Sequence, residues 1–164
     1  MNAVVANTVP QELHRAMLSA GFFPEKRFSQ NFLMNEAVVK ALVDAAELKK
    51  SDSVLEIGAG TGIITREILK HPIKEVHAIE VHDRLIPLLK KSFENDSRVL
   101  ILGEDFLQTD LHAISFTKVV SSPPYAISDD IMYALFRKGF SIASLVWQLE
   151  FAEKLLAPPG SGEY

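Results

Sequence analysis

The sequence has no cysteine, no long apolar run and no excess of basic residues. The missing cysteines exclude disulfide bonds and zinc sites built from thiolates. No apolar stretch approaches the ~18 residues of a membrane-spanning helix, and no basic segment followed by an apolar one opens the chain, so we expect a cytoplasmic protein. Seventeen basic and 21 acidic residues give a net charge of −4, which by itself argues against a nucleic-acid-binding protein.

The 164 residues predict a single domain in which short strands alternate with helices. The predicted strands are 53–57, 75–80, 98–102, 118–121 and 142–147, and the predicted helices are 10–20, 36–48, 61–70, 83–93, 129–138 and 150–156. This alternation predicts a Rossmann-like α/β fold, a largely parallel sheet with helices on both faces. Residues 1–50 are predicted to form a helical and basic extension, and residues 51–164 the sheet. Ligands of such sheets bind at the carboxyl ends of the strands.

Three of the eight glycines lie together directly after the first predicted strand, in Val54-Leu-Glu-Ile-Gly-Ala-Gly-Thr-Gly62. Glycines let the backbone approach a ligand and present amide N–H groups at the start of a helix. A dinucleotide loop needs its last glycine where Ile63 stands, which disfavours an NAD-dependent oxidoreductase. Gly-x-Gly-x-Gly after an acidic residue instead resembles the first motif of S-adenosylmethionine-dependent methyltransferases. Glu56, Gly58 and Gly60 are therefore candidate cofactor contacts.

Acidic residues also follow the next two predicted strands. Glu80 ends the second strand, about 20 residues past the glycines, where a carboxylate can accept both ribose hydroxyls of an adenosine. This residue alone does not separate a methyltransferase from a dehydrogenase. Asp105 and Phe106 follow the third strand, and we expect them to accept the adenine amino group and to lie beside the adenine ring.

Two consecutive prolines fix the loop after the fourth predicted strand, in Ser121-Ser-Pro-Pro-Tyr125. They hold the Pro123 carbonyl and the Ser122 side chain in one direction, beside the aromatic ring of Tyr125. An exocyclic amine on a flat base has two N–H donors and a stacking face, and this array fits both. The loop resembles the [Asn/Asp/Ser]-Pro-Pro-[Tyr/Phe] signature of amino-directed nucleic-acid methyltransferases. Ser122, Pro123 and Tyr125 are thus candidate catalytic residues, and Ser122 is also a candidate cofactor contact.

Two further segments narrow the resemblance to one family. Lys26-Arg-Phe-Ser-Gln-Asn-Phe-Leu33 and the stretch 148–156 resemble motifs of the rRNA adenine N6-dimethyltransferases of the KsgA type, relatives of the Erm resistance methyltransferases. The resemblance implies S-adenosylmethionine as cofactor and dimethylation of two adjacent adenosines in small-subunit rRNA. In the N-terminal segment it adds candidate cofactor contacts at Gln30, Asn31 and Leu33 and candidate RNA contacts at Lys26 and Arg27.

The sequence departs from the family pattern at Ser29, which replaces a glycine, and at Ser122, which replaces an asparagine. The shorter side chain of Ser122 favours an alternative of another class, a non-catalytic RNA-binding assembly factor on the same scaffold. An Erm-type enzyme acting on large-subunit rRNA also stays open, and a DNA amino-methyltransferase is less favoured.

The remaining expectations concern metals, assembly and length. The five histidines are scattered without ligand spacing, so we expect no metal site. We expect a monomer that does not bind membranes. The small C-terminal helical domain of the family would lie beyond Tyr164. The chain is therefore expected to be a truncated catalytic domain that holds cofactor but binds rRNA weakly and methylates poorly alone.

Overall fold

A computed structural model describes residues 35–161, and its centre is a five-stranded parallel sheet in the order β3-β2-β1-β4-β5. The strands are β1 (Ser53–Ile57), β2 (Glu75–Ile79), β3 (Val99–Leu102), β4 (Lys118–Ser121) and β5 (Ile142–Leu145). The helices are α1 (Glu36–Asp44), α2 (Ile63–Ile68), α3 (Leu85–Ser92), α4 (Ser128–Lys138) and α5 (Leu149–Leu156), with short 3-10 turns at Phe106–Gln108 and Tyr125–Ile127. The predicted parallel sheet is confirmed. The predicted helix over 10–20 lies outside the described residues.

The two faces of the sheet form two apolar cores, because successive strand residues point to opposite sides. On one face, Val54 and Val120 pack with Val39 and Val43 of α1 and with residues of α2. On the other face, β1 and β4 residues pack with α4 and the segment 106–116. Every residue of β1 is buried, as a central parallel strand requires. Burial of each large apolar side chain in the two cores stabilises the folded state by about 1.5–3 kcal/mol.

Most predicted elements differ from the observed ones by one or two residues at an end, and three of the differences have identifiable reasons. The helix predicted over 36–48 ends at Asp44, because the chain turns there and Glu47 takes a left-handed conformation with φ 50°. The helix predicted from Thr61 begins at Ile63, because Gly62 has φ 75° and cannot continue a right-handed helix. β5 ends at Leu145 rather than at the predicted Trp147, because its partner Ser121 is the last residue of β4.

Hydrogen bonds connect the amino ends of the strands at the edge of the sheet opposite the ligand-binding edge. Thr117 donates its hydroxyl to Asp52 at 2.8 Å and its backbone N–H to the Ser53 carbonyl at 2.9 Å. Asp52 also accepts the backbone N–H of Lys49 at 2.8 Å. Across residues 35–161, no helix is long and apolar enough to cross a membrane, and no group of three His, Asp or Glu side chains could hold a metal ion.

Candidate functional site

The glycine loop leaves β1 in a conformation that only glycine adopts easily. Gly58, Gly60 and Gly62 have φ values of 73°, 59° and 75°. The backbone N–H groups of Gly58 and Ala59 both donate to the carbonyl of Ile79, at 2.8 and 3.0 Å, which anchors the loop to the end of β2. A Cβ added at Gly62 would lie 2.7 Å from Cε2 of Phe93. The loop therefore needs glycine for its backbone and, at position 62, for close packing.

Glu80 lies beneath this loop and holds it. Its side chain is buried, and its Oε2 accepts the backbone N–H of Gly60 at 2.7 Å while Oε1 accepts that of His82 at 2.8 Å. A carboxylate has about four acceptor positions, so both oxygens keep capacity for further donors such as hydroxyl groups. The structure thus joins Glu80 to the glycine loop, two features that the sequence separates by 20 residues.

Glu56 is the second carboxylate of the site, and it is completely buried. On the face of β1 that meets α2, its Oε2 accepts the hydroxyl of Thr65 at 2.5 Å. Its Oε1 has no hydrogen-bond partner among residues 35–161. Burial raises the pKa of Glu56 to about 8, against the opposing effect of the Thr65 hydrogen bond and with a further contribution from the charge of Glu80. An unpaired buried acceptor of this kind is satisfied by a bound water, a ligand or a proton.

The proline loop meets the glycine loop at the carboxyl ends of β1 and β4. A Cβ added at Gly58 would lie 3.3 Å from Cδ of Pro124, so the two loops are in near contact. Ser121, which is completely buried, donates its hydroxyl to the Ile57 carbonyl at 2.6 Å and accepts the Ile57 N–H at 3.3 Å. This bond fixes the end of β4 against β1. Ser122 follows and is half-buried, and its contact with a ligand stays a prediction.

Tyr125 opens the turn that leads from the proline loop into α4. The side chain is half-buried, and its carbonyl accepts the hydroxyl of Ser128 at 2.8 Å. Pro123 is buried beside it. The three predicted catalytic residues, Ser122, Pro123 and Tyr125, therefore stand on one rigid loop at the sheet edge where ligands of this fold bind.

The predicted adenine contacts lie at the end of β3. The Asp105 carboxylate is half-buried and accepts the backbone N–H of Leu107 at 3.0 Å, which shapes its own loop. Phe106 is 5% exposed and belongs to the core that includes Ile57 and Ile79, so its ring supports the loop from below. Its placement beside an adenine ring stays a prediction. Leu107, which the sequence analysis did not single out, is half exposed here.

Two residues that build the site, Thr65 and Ser121, were not predicted as site residues, and Pro124 was predicted only as part of the proline pair that fixes its loop. A threonine in the first helical turn after a glycine loop only weakly indicates a site residue. Its hydrogen bond to Glu56 forms only when the strand and the helix have folded together. Ser121 could have been found as the polar end of a buried strand. Five predicted contacts lie outside the described residues and stay predictions: Lys26, Arg27, Gln30, Asn31 and Leu33.

Comparison with known proteins identifies the family. The family model for ribosomal RNA adenine dimethylases matches residues 22–164. The chain belongs to this family. It is 43% identical over 141 residues to the "Probable ribosomal RNA small subunit methyltransferase A" of Thermococcus sibiricus, covering 86% of this chain and 50% of the relative. It is 35% identical over 165 residues to the ribosomal RNA small subunit methyltransferase A of Latilactobacillus sakei, covering 94% and 55%. This dimethylase family member thus spans about half the length of the curated relatives it matches.

Solved structures agree with the family assignment. A dimethyladenosine transferase from Plasmodium falciparum superposes with TM-score 0.71 at 34% identity, covering 79% of this chain and 48% of that one. The 23S rRNA methyltransferase ErmE gives TM-score 0.67 at 29% identity, covering 76% and 50%. A more distant RNA methyltransferase from Salinibacter ruber, solved with S-adenosyl-L-homocysteine, shares the fold at TM-score 0.56 and 18% identity, covering 70% and 72%. The predicted class I methyltransferase fold and the predicted family are confirmed.

Proposed function

We propose that this protein is an S-adenosylmethionine-dependent dimethyltransferase that acts on the N6 amino groups of two adjacent adenosines in small-subunit rRNA. The observation that carries the proposal is the near contact of the glycine loop with the proline loop, through Gly58 and Pro124. The residues assigned to the cofactor and the residues assigned to the target amine therefore lie at the same edge of the sheet. Membership of the dimethylase family and relatives named as small-subunit methyltransferases support the same activity.

The residues of the site fit S-adenosylmethionine. Two buried carboxylates, Glu56 and Glu80, suit a ligand that carries positive charge and ribose hydroxyls, and the Glu56 Oε1 atom lacks a donor within residues 35–161. The left-handed glycines let the loop turn tightly at the end of β1, where a cofactor of this fold binds. Glu80 would accept the ribose hydroxyls, Glu56 would face the cationic end, and Asp105 would accept the adenine amino group. When bound, this cofactor supplies a methyl group already activated by a sulfonium.

The protein's own contribution is alignment. The Ser122 side chain and the Pro123 carbonyl would accept the two N–H groups of the target amine and so aim its lone pair at the methyl group. The proton can leave after attack, so no strong base is needed. The target adenine must be unstacked to reach the loop, and the ring of Tyr125 offers a stacking surface.

The N-terminal segment completes this proposal. We assign Gln30, Asn31 and Leu33 to the cofactor, and Lys26 and Arg27 to RNA phosphates. The protein would act as a monomer in the cytoplasm, on rRNA or on the assembling small subunit. These assignments rest on the family motif in residues 26–33.

Calorimetry tests the cofactor assignment. S-adenosylmethionine should bind saturably, NAD should not bind, and Glu80→Ala should weaken binding at least tenfold because it removes the ribose acceptor and the Gly60 anchor. Leu107→Ala, at an exposed position near the predicted adenine site, should change affinity far less. Binding of NAD, or no binding by a folded chain, would overturn the proposal.

A second candidate is a non-catalytic assembly factor, and Ser122 is the observation that favours it. A serine hydroxyl reaches less far toward the amine than an asparagine amide. Methyl transfer to small-subunit rRNA would be compared for wild type and Ser122→Asn. Clear activity in wild type excludes the assembly factor, whereas activity that appears only in the asparagine variant supports it. Transfer to large-subunit rRNA alone would favour the Erm-type alternative.

A further inference from the structure

The buried carboxyl of Glu56 is unusual because the protein satisfies only one of its two oxygens. Oε2 accepts the Thr65 hydroxyl, whereas Oε1 meets no donor within residues 35–161. A buried carboxylate in this condition is costly unless it takes up a proton or a positive charge comes to lie beside it. An empty site and a site that holds a cation therefore favour different protonation states of Glu56.

In the described part of the chain, no side chain supplies that positive charge to Glu56. Glu80, at the end of β2, is a like charge and favours the protonated form. On α2, Thr65 faces the carboxyl, while the exposed Arg66 donates to the Thr61 carbonyl and lies over the Phe93 ring.

The other elements on this face bring mainly apolar side chains. α1 contributes Val39 and Val43, and β4 contributes Val120. Lys118 of β4 is buried, but it pairs in register with Val54, two residues nearer the amino end of β1 than Glu56. Residues 35–161 therefore place no cation beside Glu56, and a ligand can supply one.

We propose that Glu56 releases a proton to solvent when the ammonium group of the cofactor binds beside it, and that Thr65 is the positioning residue that holds the carboxyl for this exchange. The inference rests on the proposed function, because the ammonium group belongs to the cofactor assigned there. β1 runs from Glu56 through Ile57 into Gly58, so the carboxyl lies at the base of the glycine loop. A bound ammonium would supply the donor that Oε1 lacks.

The size of the effect follows from linkage between protonation and binding. Burial raises the pKa of Glu56 to about 8, so at about pH 7 roughly nine-tenths of empty sites carry the proton. Binding there should release close to one proton per cofactor. Affinity should rise about tenfold from about pH 6 to about pH 7, a range in which an α-amino group, with a pKa near 8, keeps its charge.

Calorimetry in two buffers of different ionisation enthalpy counts the protons released. We expect close to one proton for wild type at about pH 7 and none for Glu56→Gln, whose affinity should be flat from about pH 6 to about pH 7. Glutamine has the shape and charge of the protonated acid, so this variant should fold, which thermal unfolding checks. S-adenosylhomocysteine keeps the ammonium group and lacks the sulfonium, so it should release the same proton.

The role of Thr65 is tested by a pair of variants. Thr65→Ser keeps the hydroxyl and should bind within about twofold of wild type. Thr65→Val removes the bond that stabilises the carboxylate, so affinity at about pH 7 should fall about tenfold, the loss expected for one hydrogen bond to a charged group. The pH-dependent range should also move upward, because the pKa of Glu56 rises when this bond is lost. The matched control is Thr117→Val, which removes the Thr117–Asp52 bond at the opposite edge and should leave both the affinity and its pH dependence unchanged.

The outcomes separate this inference from the proposed function. Saturable binding without proton release, or equal behaviour of Thr65→Val and Thr65→Ser, overturns the inference and leaves the proposed function standing. Proton release with S-adenosylmethionine but not with S-adenosylhomocysteine overturns the ammonium assignment. No binding by folded wild-type protein overturns both proposals.

Discussion

Replacing Gly62 by alanine should destabilise the protein far more than the same change at Gly58. Both glycines are left-handed, with φ 75° and 73°, so alanine costs about 1–2 kcal/mol at either position. At Gly62 the new Cβ would also lie 2.7 Å from Cε2 of Phe93 and 3.0 Å from Cδ2 of Leu89. Both side chains are buried, and overpacking of this kind adds about 1–3 kcal/mol. At Gly58 the nearest atom is Pro124 Cδ at 3.3 Å, a milder contact.

Urea unfolding followed by the fluorescence of Trp147, the single tryptophan, measures the difference. We expect Gly62→Ala to lower the free energy of unfolding by about 2–5 kcal/mol and Gly58→Ala by about 1–2 kcal/mol, with unchanged denaturant dependence. Phe93→Leu should recover part of the loss in the Gly62→Ala background, a coupling of about 1–2 kcal/mol. Equal losses at the two glycines, or strict additivity with Phe93→Leu, would refute the claim that the Phe93 ring closes this space.

Four further variants test neighbouring parts of the site. Ser121→Ala should lower the free energy of unfolding by about 1–3 kcal/mol, because the buried Ile57 carbonyl loses its hydrogen-bond donor. Ser122→Ala should change the free energy of unfolding by no more than about 0.5 kcal/mol but should reduce methyl transfer. Glu80→Gln keeps the side-chain shape but should weaken cofactor binding, because the glutamine NH2 group must face one of two backbone N–H donors, those of Gly60 and His82. Equal cofactor affinity of this variant and wild type in calorimetry would contradict this prediction. Because the folded-state pKa of Glu56 is raised to about 8, the folded protein binds more protons than the unfolded chain between about pH 5 and 8. The free energy of unfolding should therefore fall as pH rises through this range, by up to about 1.4 kcal/mol per pH unit. In Glu56→Gln, the free energy of unfolding measured with urea should depend less on pH.

The strands were predictable because each is a short apolar run between turn residues, and β1 and β4 have the predicted bounds. The end of α1 was not predictable in the same way. Its apolar periodicity continues to Leu48, but the backbone turns at Ala45 and reaches a left-handed conformation at Glu47. Periodicity reports which side chains can be buried together, and it says little about where the backbone stops being helical.

The spacing of the motifs predicted which segments form the site, but it did not predict the hydrogen bonds between them. The positions of Gly60 and Glu80 followed from strand order, since carboxyl ends of parallel strands meet at one edge. That Glu80 binds the Gly60 N–H could not be read from spacing, because it depends on side-chain direction and burial. The same holds for Phe106, whose ring turns into the core although its neighbours on either side are more exposed.

Net charge was the weakest of the sequence arguments, and the structure explains why. It counts every carboxylate equally, yet three of them, Asp52, Glu56 and Glu80, are buried in the described part of the chain, against one buried lysine, Lys118. Asp52 serves the strand ends through Thr117, and Glu56 and Glu80 surround the glycine loop. Net charge adds these buried carboxylates to the exposed ones, so it does not describe the potential of any one surface of the protein. An acidic total is therefore compatible with an RNA substrate, because RNA binding depends on the local charge of the contact surface and not on the sum over the chain.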